Sequence, residues 1–165
     1  MDYLALVTKT ADGYAGNVPE LQTILATEDT LDALKTTLAE AVALYLLDAP
    51  NAPAPVAQRL SDLSELVQED YAELDVTLLR VTPAPVNPVS LQVARVIDES
   101  GLSYRELARR LGTGHAALFR LANPFYWGHS LAMLRRLAEA LGAHLDVNLT
   151  SNVGRPVAPG EAQAV

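Results

Sequence analysis

The sequence predicts an α+β protein, with a small antiparallel sheet and one long helix in its first half and helices followed by a strand in its second. Three observations predict this. Short apolar segments flank an Asp12-Gly13 turn, which is typical of a β-hairpin. Later segments repeat apolar residues with the 3.6-residue period of helices. A proline-rich stretch over residues 83–88 separates the two halves as a semi-extended linker.

The first half is expected to begin with three strands, over residues 2–8, 14–18 and 22–27. The Asp-Gly pair of the hairpin would supply the positive backbone dihedrals that such a turn requires. Asp29 and Thr30 are suited to begin a long helix, because apolar residues then recur with helical spacing.

The rest of this half is expected to return to the sheet. Residues 49–55 hold three prolines and predict a loop. Residues 56–67 have weaker helical character, with apolar residues spaced for one face. Residues 74–81 are rich in Val, Thr and Leu and predict a further strand.

Capping residues predict where the helices of the second half begin. Asn87 and Pro88 are expected to start a helix that ends near Ser100, since proline is tolerated at the first helical position. Ser103 and Glu106 have the spacing of a capping box, in which each side chain accepts a hydrogen bond from an amide at the helix start.

A second short helix is predicted after a turn at Gly112, from about Gly114 to Ala122. Ser130 is expected to begin another helix, which ends where Gly142 takes the left-handed conformation. Alternation of apolar and polar residues over His144–Thr150 predicts a half-buried strand.

Residues 102–142 therefore have the capped helix, glycine turn and second helix of a DNA-binding helix-turn-helix. They resemble the lambda-repressor and Cro type over roughly residues 88–142. In that type the second helix enters the major groove, and its first residues reach the base edges. A plain helical hairpin is the alternative. The residues expected at the DNA are Ser103, Tyr104, Arg105, Arg109, Thr113, Gly114, His115, Ala116, Phe119 and Arg120.

The predicted recognition helix is poor in Gln, Asn, Ser and Arg, the residues that commonly bind base edges. Recognition is therefore expected to rest on His115, on contacts between alanines and thymine methyl groups, and on phosphate contacts.

Charge is divided unevenly along the chain. Residues 1–85 hold four basic and fourteen acidic side chains, a net charge of −10, whereas residues 86–165 have a net charge of +2. An acidic half attracts basic partners, and a mildly basic half can bind nucleic acid. Two different partners are therefore expected; acidic surface that only aids solubility is the alternative.

The first half also resembles the N-terminal domain of HicB-type antitoxins. The motifs that carry this likeness are Asp12-Gly13-Tyr14, Val18-Pro19-Glu20-Leu21, Asp29-Thr30-Leu31 and Glu40-Ala41 followed by Tyr45-Leu46. The resemblance implies that residues 1–82 have a fold distantly similar to ribonuclease H. This domain would neutralise a small basic HicA-like toxin that cleaves mRNA. Residues 89–150 would then bind operator DNA and repress the protein's own operon.

Two alternatives to an antitoxin are a stand-alone helix-turn-helix transcriptional regulator with a ligand-sensing first domain, and a metal-dependent nuclease. The first predicted strand holds a carboxylate only at its edge, at Asp2. His115, His129 and His144 lack the spacing of metal ligands. We therefore expect no enzyme activity, no catalytic residue, no metal and no cofactor.

A homodimer is expected, and the pairing of dimers into tetramers is left open. The strand over residues 144–150 has no evident partner in its own domain, so pairing with its copy in a second chain would bury Leu145, Val147 and Leu149. Residues 151–165 are expected to be a flexible tail. The sequence has no cysteine, no long apolar run and no signal segment, which predicts a cytoplasmic protein without membrane contact.

Overall fold

The structure, a computed structural model, describes residues 1–149 and has an α+β architecture. Its strands are β1 (Tyr3–Thr10), β2 (Gly13–Asn17), β3 (Leu25–Glu28) and β4 (Val76–Val81). Its helices are α1 (Leu31–Asp48), α2 (Glu65–Tyr71), α3 (Pro88–Glu99), α4 (Tyr104–Leu111), α5 (His115–Ala122) and α6 (Leu131–Leu141). The strands form one antiparallel sheet in the order β3-β2-β1-β4. No helix of residues 1–149 is both long and apolar enough to cross a bilayer.

Strand β1 lies at the centre of the first core because both of its faces are buried. Successive side chains of a strand point to opposite faces of the sheet. Tyr3, Ala5 and Val7 pack in the same apolar cluster as the buried residues of α1. Leu4 and Leu6 point to the other face, where they pack with residues between 57 and 71. The sheet is therefore covered on one side by α1 and on the other by the segment that contains α2.

The start of α1 is the one predicted from the sequence. Thr30 is the N-cap, and its Oγ1 accepts a hydrogen bond from the Ala33 amide at 3.2 Å. The helix ends at Asp48, just before the proline-containing loop. Local capping chemistry and the following prolines therefore set both ends of the longest helix.

The hairpin between β1 and β2 forms where it was predicted, but only Gly13 of the Asp12-Gly13 pair has the expected positive φ. Asp12 does not have a positive φ, and Gly13 has a φ of 155° as the first residue of β2. A Cβ atom at Gly13 would lie 2.2 Å from the carbonyl oxygen of Glu28 on β3. Glycine is required here because the neighbouring strand approaches so closely.

The third strand begins later than predicted, at Leu25 instead of Gln22. Pro19–Leu21 form a short 3-10 helix, and the Val18 amide donates to the Ile24 carbonyl at 3.1 Å. This closed loop buries Leu21 and Ile24 before the chain can join the sheet.

The predicted weak helix over residues 56–67 was wrong in its bounds. A 3-10 turn at Leu60–Asp62 is followed by α2 at Glu65–Tyr71. The Asp62 carboxylate accepts hydrogen bonds from the Gln58 and Arg59 amides, both at 2.9 Å, and this cap makes the helical turn begin at Leu60. These amide hydrogen bonds are the main cause of the lowered pKa of Asp62. The last strand of the sheet begins at Val76, two residues after the predicted start.

The helices of the second half surround a separate apolar cluster. Its buried members come from all four helices and are Val93, Ile97, Leu107, Ala108, Leu111, Leu118, Leu121 and Leu137.

The proline-rich segment before α3 is held at both of its ends. The Ala84 amide donates to the Ala39 carbonyl on α1 at 2.9 Å, and the Asn87 amide donates to the Pro124 carbonyl at 2.7 Å.

The predicted strand over His144–Thr150 is absent from the single chain: residues 143–149 have no regular secondary structure, and Thr150 lies outside the described residues. A strand needs a hydrogen-bonded neighbour, and none is provided within residues 1–149. Leu145 instead lines a groove between α3 and α6, whereas Val147 and Leu149 are 56% and 92% exposed. The predicted flexible tail at residues 151–165 also lies outside the described part.

Candidate nucleic-acid interface

Helices α4 and α5 are joined by a tight three-residue connection. Gly112 ends α4 with a left-handed φ of 61°, a conformation that costs other L-residues about 1 kcal/mol or more. The Thr113 amide then donates to the Ala108 carbonyl at 3.0 Å, and Gly114 is the N-cap of α5. The turn at Gly112 and the predicted bounds of both helices are confirmed to within one residue.

The start of α4 is half of the predicted capping box. Ser103 Oγ accepts a hydrogen bond from the Glu106 amide at 3.2 Å, as predicted. The Glu106 carboxylate, however, does not return a hydrogen bond to Ser103 within the described residues. Two arginines one turn further along the helix bind it instead.

Glu106 is held by three hydrogen bonds from guanidinium groups. Arg109 donates through Nε and Nη2 to both carboxylate oxygens, at 2.9 and 2.7 Å, and Arg110 Nε donates at 2.9 Å. These bonds lower the pKa of Glu106 to about 2. At neutral pH one negative charge therefore offsets part of the positive charge of the two arginines.

Three aromatic rings connect the start of α4 to the exposed side of α5. The rings of Tyr104 and Phe119 are stacked, with centroids 4.4 Å apart and planes within 6° of parallel. His115 meets Phe119 edge-on at 4.5 Å. Burial, and secondarily the Asp98 carboxylate, raise the pKa of the Tyr104 hydroxyl. The stack holds Phe119 in place while 51% of that residue is exposed.

Most of the residues that the sequence places at DNA are on the surface. Tyr104 and Thr113 are partly buried, and the others are exposed: Ser103, Arg105, Arg109, Gly114, His115, Ala116, Phe119 and Arg120. The structure brings Tyr104, His115 and Phe119 into contact. It turns Arg109 towards Glu106, whereas Arg105 and Arg120 form no ion pair or side-chain hydrogen bond with any residue in the described range.

A buried polar cluster, which sequence analysis missed, lies behind α5. Asn87 Nδ2 donates to the Tyr126 carbonyl at 2.8 Å, and Ser90 Oγ donates to the same carbonyl at 3.2 Å. His129 Nε2 lies 2.8 Å from the carbonyl of Leu121, in the last turn of α5. Asn87 and Ser90 are 5% and 0% exposed, so these bonds form away from water.

The partners of His129 fix its tautomer. A carbonyl oxygen can only accept, so Nε2 carries the proton and donates to Leu121. Nδ1 is then the acceptor for Asn87 Nδ2, 3.4 Å away. His129, considered in the sequence only as a possible metal ligand, connects the N-cap residue of α3 to the last turn of α5 in this structure.

Arg136 on α6 adds a further contact to the pair of helices. Its guanidinium donates to the Leu111 carbonyl, one of the acceptors left free at the C-terminus of α4. A cation is also favourable beside the negative end of a helix dipole. Two separate polar contacts therefore position these helices: His129, in the loop after α5, binds α5, and Arg136 on α6 binds α4.

Residues 1–149 contain no group of three or more His, Cys, Asp or Glu side chains arranged to hold a metal ion. No protein-family model matches the chain, and no curated protein matches it either.

Proposed function

We propose that this protein is an antitoxin that binds DNA through α4 and α5 and binds a small basic toxin through its acidic first half. The observation that carries the DNA-binding part is the exposed face of α5. That face presents His115, Ala116, Phe119 and Arg120, and α5 contains no acidic residue. A surface without negative charge is what an approaching phosphate backbone requires.

Features around α5 favour an anion at the same surface. Gly114 provides no side-chain cap, so the first amides of α5 are available to an external acceptor such as a phosphate oxygen. Arg105 and Arg120 are exposed, with no ion-pair partner in residues 1–149. In the lambda-repressor type, which the sequence resembles, phosphate contacts of this kind position the second helix over the base edges.

An acidic surface on the first half supports a basic protein partner. Residues 64–75 contain five acidic side chains and no lysine or arginine. All five are exposed, and none forms an ion pair within the described residues. They are Glu65, Glu69, Asp70, Glu73 and Asp75. We call this surface the acidic face.

Exposed leucines accompany the acidic face. Leu66, Leu74 and Leu78 are 69%, 52% and 45% exposed. Opposite charge accelerates encounter between proteins, while burial of apolar side chains stabilises the complex that forms. This combination supports a protein partner, and the resemblance to HicB antitoxins supplies its identity as a HicA-like toxin.

We further propose a homodimer in which Leu145, Val147 and Leu149 form the contact. Val147 and Leu149 are exposed apolar residues in a segment without hydrogen-bonded neighbours. Pairing with the same segment of a second chain would satisfy that backbone and cover those side chains. Two recognition helices would then lie on half-sites about one turn of DNA apart.

The ion pair at Glu106 provides a test of DNA binding. Glu106→Gln should free the charges of Arg109 and Arg110, so that binding tightens about fivefold at low salt and its salt dependence becomes steeper. Arg105→Ala should do the opposite and reduce the salt slope by about one. Fluorescence anisotropy on DNA from immediately upstream of the coding sequence measures both.

Glu99→Gln is the matched control, because Glu99 pairs with Arg95 on α3 at 3.4 Å and undergoes the same chemical change away from α5. It should leave binding close to the parent value. Equal effects of Glu99→Gln and Glu106→Gln would show that α4 and α5 are not the DNA-binding surface.

Charge reversal on the acidic face provides a test of the protein partner. The double variant Glu69→Lys and Asp70→Lys should slow association with the proposed HicA-like toxin about tenfold. Asp12→Lys with Asp48→Lys changes the net charge equally, at the hairpin and on α1. Stopped-flow mixing of the full chains should show a smaller effect for this control, and equal slowing would refute the proposed face.

Substitution at Val147 provides a test of the dimer. Val147→Pro removes the amide that a strand ladder needs, so light scattering should detect monomers. Val147→Thr keeps both the amide and the branched side chain and should remain dimeric. If Val147→Pro formed dimers as stable as the parent, the contact would lie elsewhere.

A further inference from the structure

We infer that the exposed face of α5 selects DNA by the methyl groups of thymine, through apolar contacts from Phe119 and Ala116. This inference rests on the proposed DNA binding and names what that same surface recognises. The preferred site would therefore contain thymines at the positions that face α5.

His115, Ala116, Phe119 and Arg120 occupy positions i, i+1, i+4 and i+5 of α5, while Leu118 and Leu121 point into the core. Specific hydrogen bonding to adenine commonly uses Asn or Gln, and hydrogen bonding to cytosine uses Asp or Glu. The exposed face has none of these four residue types.

Ring contacts hold the apolar part of this face in place. Phe119 has two aromatic neighbours: the ring of Tyr104 is stacked on it at 4.4 Å, and the ring of His115 meets it edge-on at 4.5 Å. The ring still exposes much of its surface, since Phe119 is 51% exposed. A side chain that is already fixed loses little conformational entropy when a ligand covers it.

The ligand that such a surface can recognise is an apolar group on a base edge. The C5-methyl of thymine is the apolar group that base edges present in the major groove, and it contacts Ala and Phe favourably. Burial of one methyl group corresponds to about a fourfold change in affinity. A fixed phenyl ring beside the methyl of Ala116 is therefore suited to distinguish thymine from cytosine.

Arg120 presents the competing chemistry. Its guanidinium has no partner among residues 1–149, and a free arginine can bind guanine O6 and N7 in a bidentate manner. Arg120 follows Phe119 directly, so the two side chains cannot both point at the same base. We assign Arg120 to a phosphate, and guanine recognition becomes an outcome of the test.

The experiment uses the full chain and a DNA duplex that the chain itself selects from a random-sequence pool. Each thymine in that duplex is replaced singly by uracil, which removes only the methyl group. At positions that face α5, Kd should rise about fourfold for each lost methyl. Replacing thymines outside the selected sequence should leave Kd unchanged.

Two variants separate the contributions of Phe119 and Arg120 to DNA binding. Phe119→Ala should abolish most of the difference between thymine and uracil, whereas Arg120→Ala should weaken both duplexes equally and keep their ratio. Equal affinity of the parent for thymine and uracil at every position would overturn the inference and leave DNA binding intact. A selected site that loses guanine preference in Arg120→Ala would overturn the assignment of Arg120 to a phosphate. Failure to select any duplex would overturn the proposed DNA binding itself.

Discussion

The buried hydrogen bonds around His129 determine where the second half presents α5. The cluster ties the start of α3, the loop after α5 and the last turn of α5 to one another through Asn87, Ser90 and the Tyr126 carbonyl. An unpaired polar group at this depth would cost about 1–3 kcal/mol, so the three segments are stable only in one mutual arrangement. The same Asn87 caps α3 and ends the proline-rich segment, which makes it the point where the two halves of the chain meet.

The arrangement of charge and apolar surface around α5 has a consistent physical logic. Glu106 binds Arg109 and Arg110, so the arginines of α4 and α5 that have no acidic partner among residues 1–149 are Arg105 and Arg120, both exposed. Exposed positive charge favours approach to a polyanion from a distance, whereas the stacked rings offer an apolar surface for close contact. The first half has the opposite charge and would be repelled by DNA, which supports the proposal of a different, basic partner for its acidic face.

Features that depend on neighbouring residues could be predicted from the sequence, and features that depend on distant ones could not. The N-caps Thr30, Asn87 and Ser103, the turn at Gly112 and the left-handed end at Gly142 each involve residues at most five apart, and all were predicted. The salt bridges of Glu106 also join neighbouring residues, but the sequence predicted that its carboxylate would bind the Ser103 amide in a capping box. The carboxylate binds Arg109 and Arg110 instead. The start of β3 and the bounds of α2 are exceptions, because local contacts set them and they were still wrong: a 3-10 turn at Pro19–Leu21 precedes β3, and the Asp62 carboxylate binds the Gln58 and Arg59 amides. The stack of Tyr104 on Phe119 and the hydrogen bonds of His129 join residues that are far apart in the sequence, so no pattern of neighbouring residues predicts them.

The most direct test of the central claim is a map of backbone amide chemical shifts during titration with the upstream DNA. Residues 103–105 and 113–120 are predicted to show the largest changes, because they include the start of α4, the turn and the exposed face of α5. Amides of the acidic face should change little, since like charge keeps DNA away from them. Changes centred on the sheet or on α1, with α5 unaffected, would contradict the account.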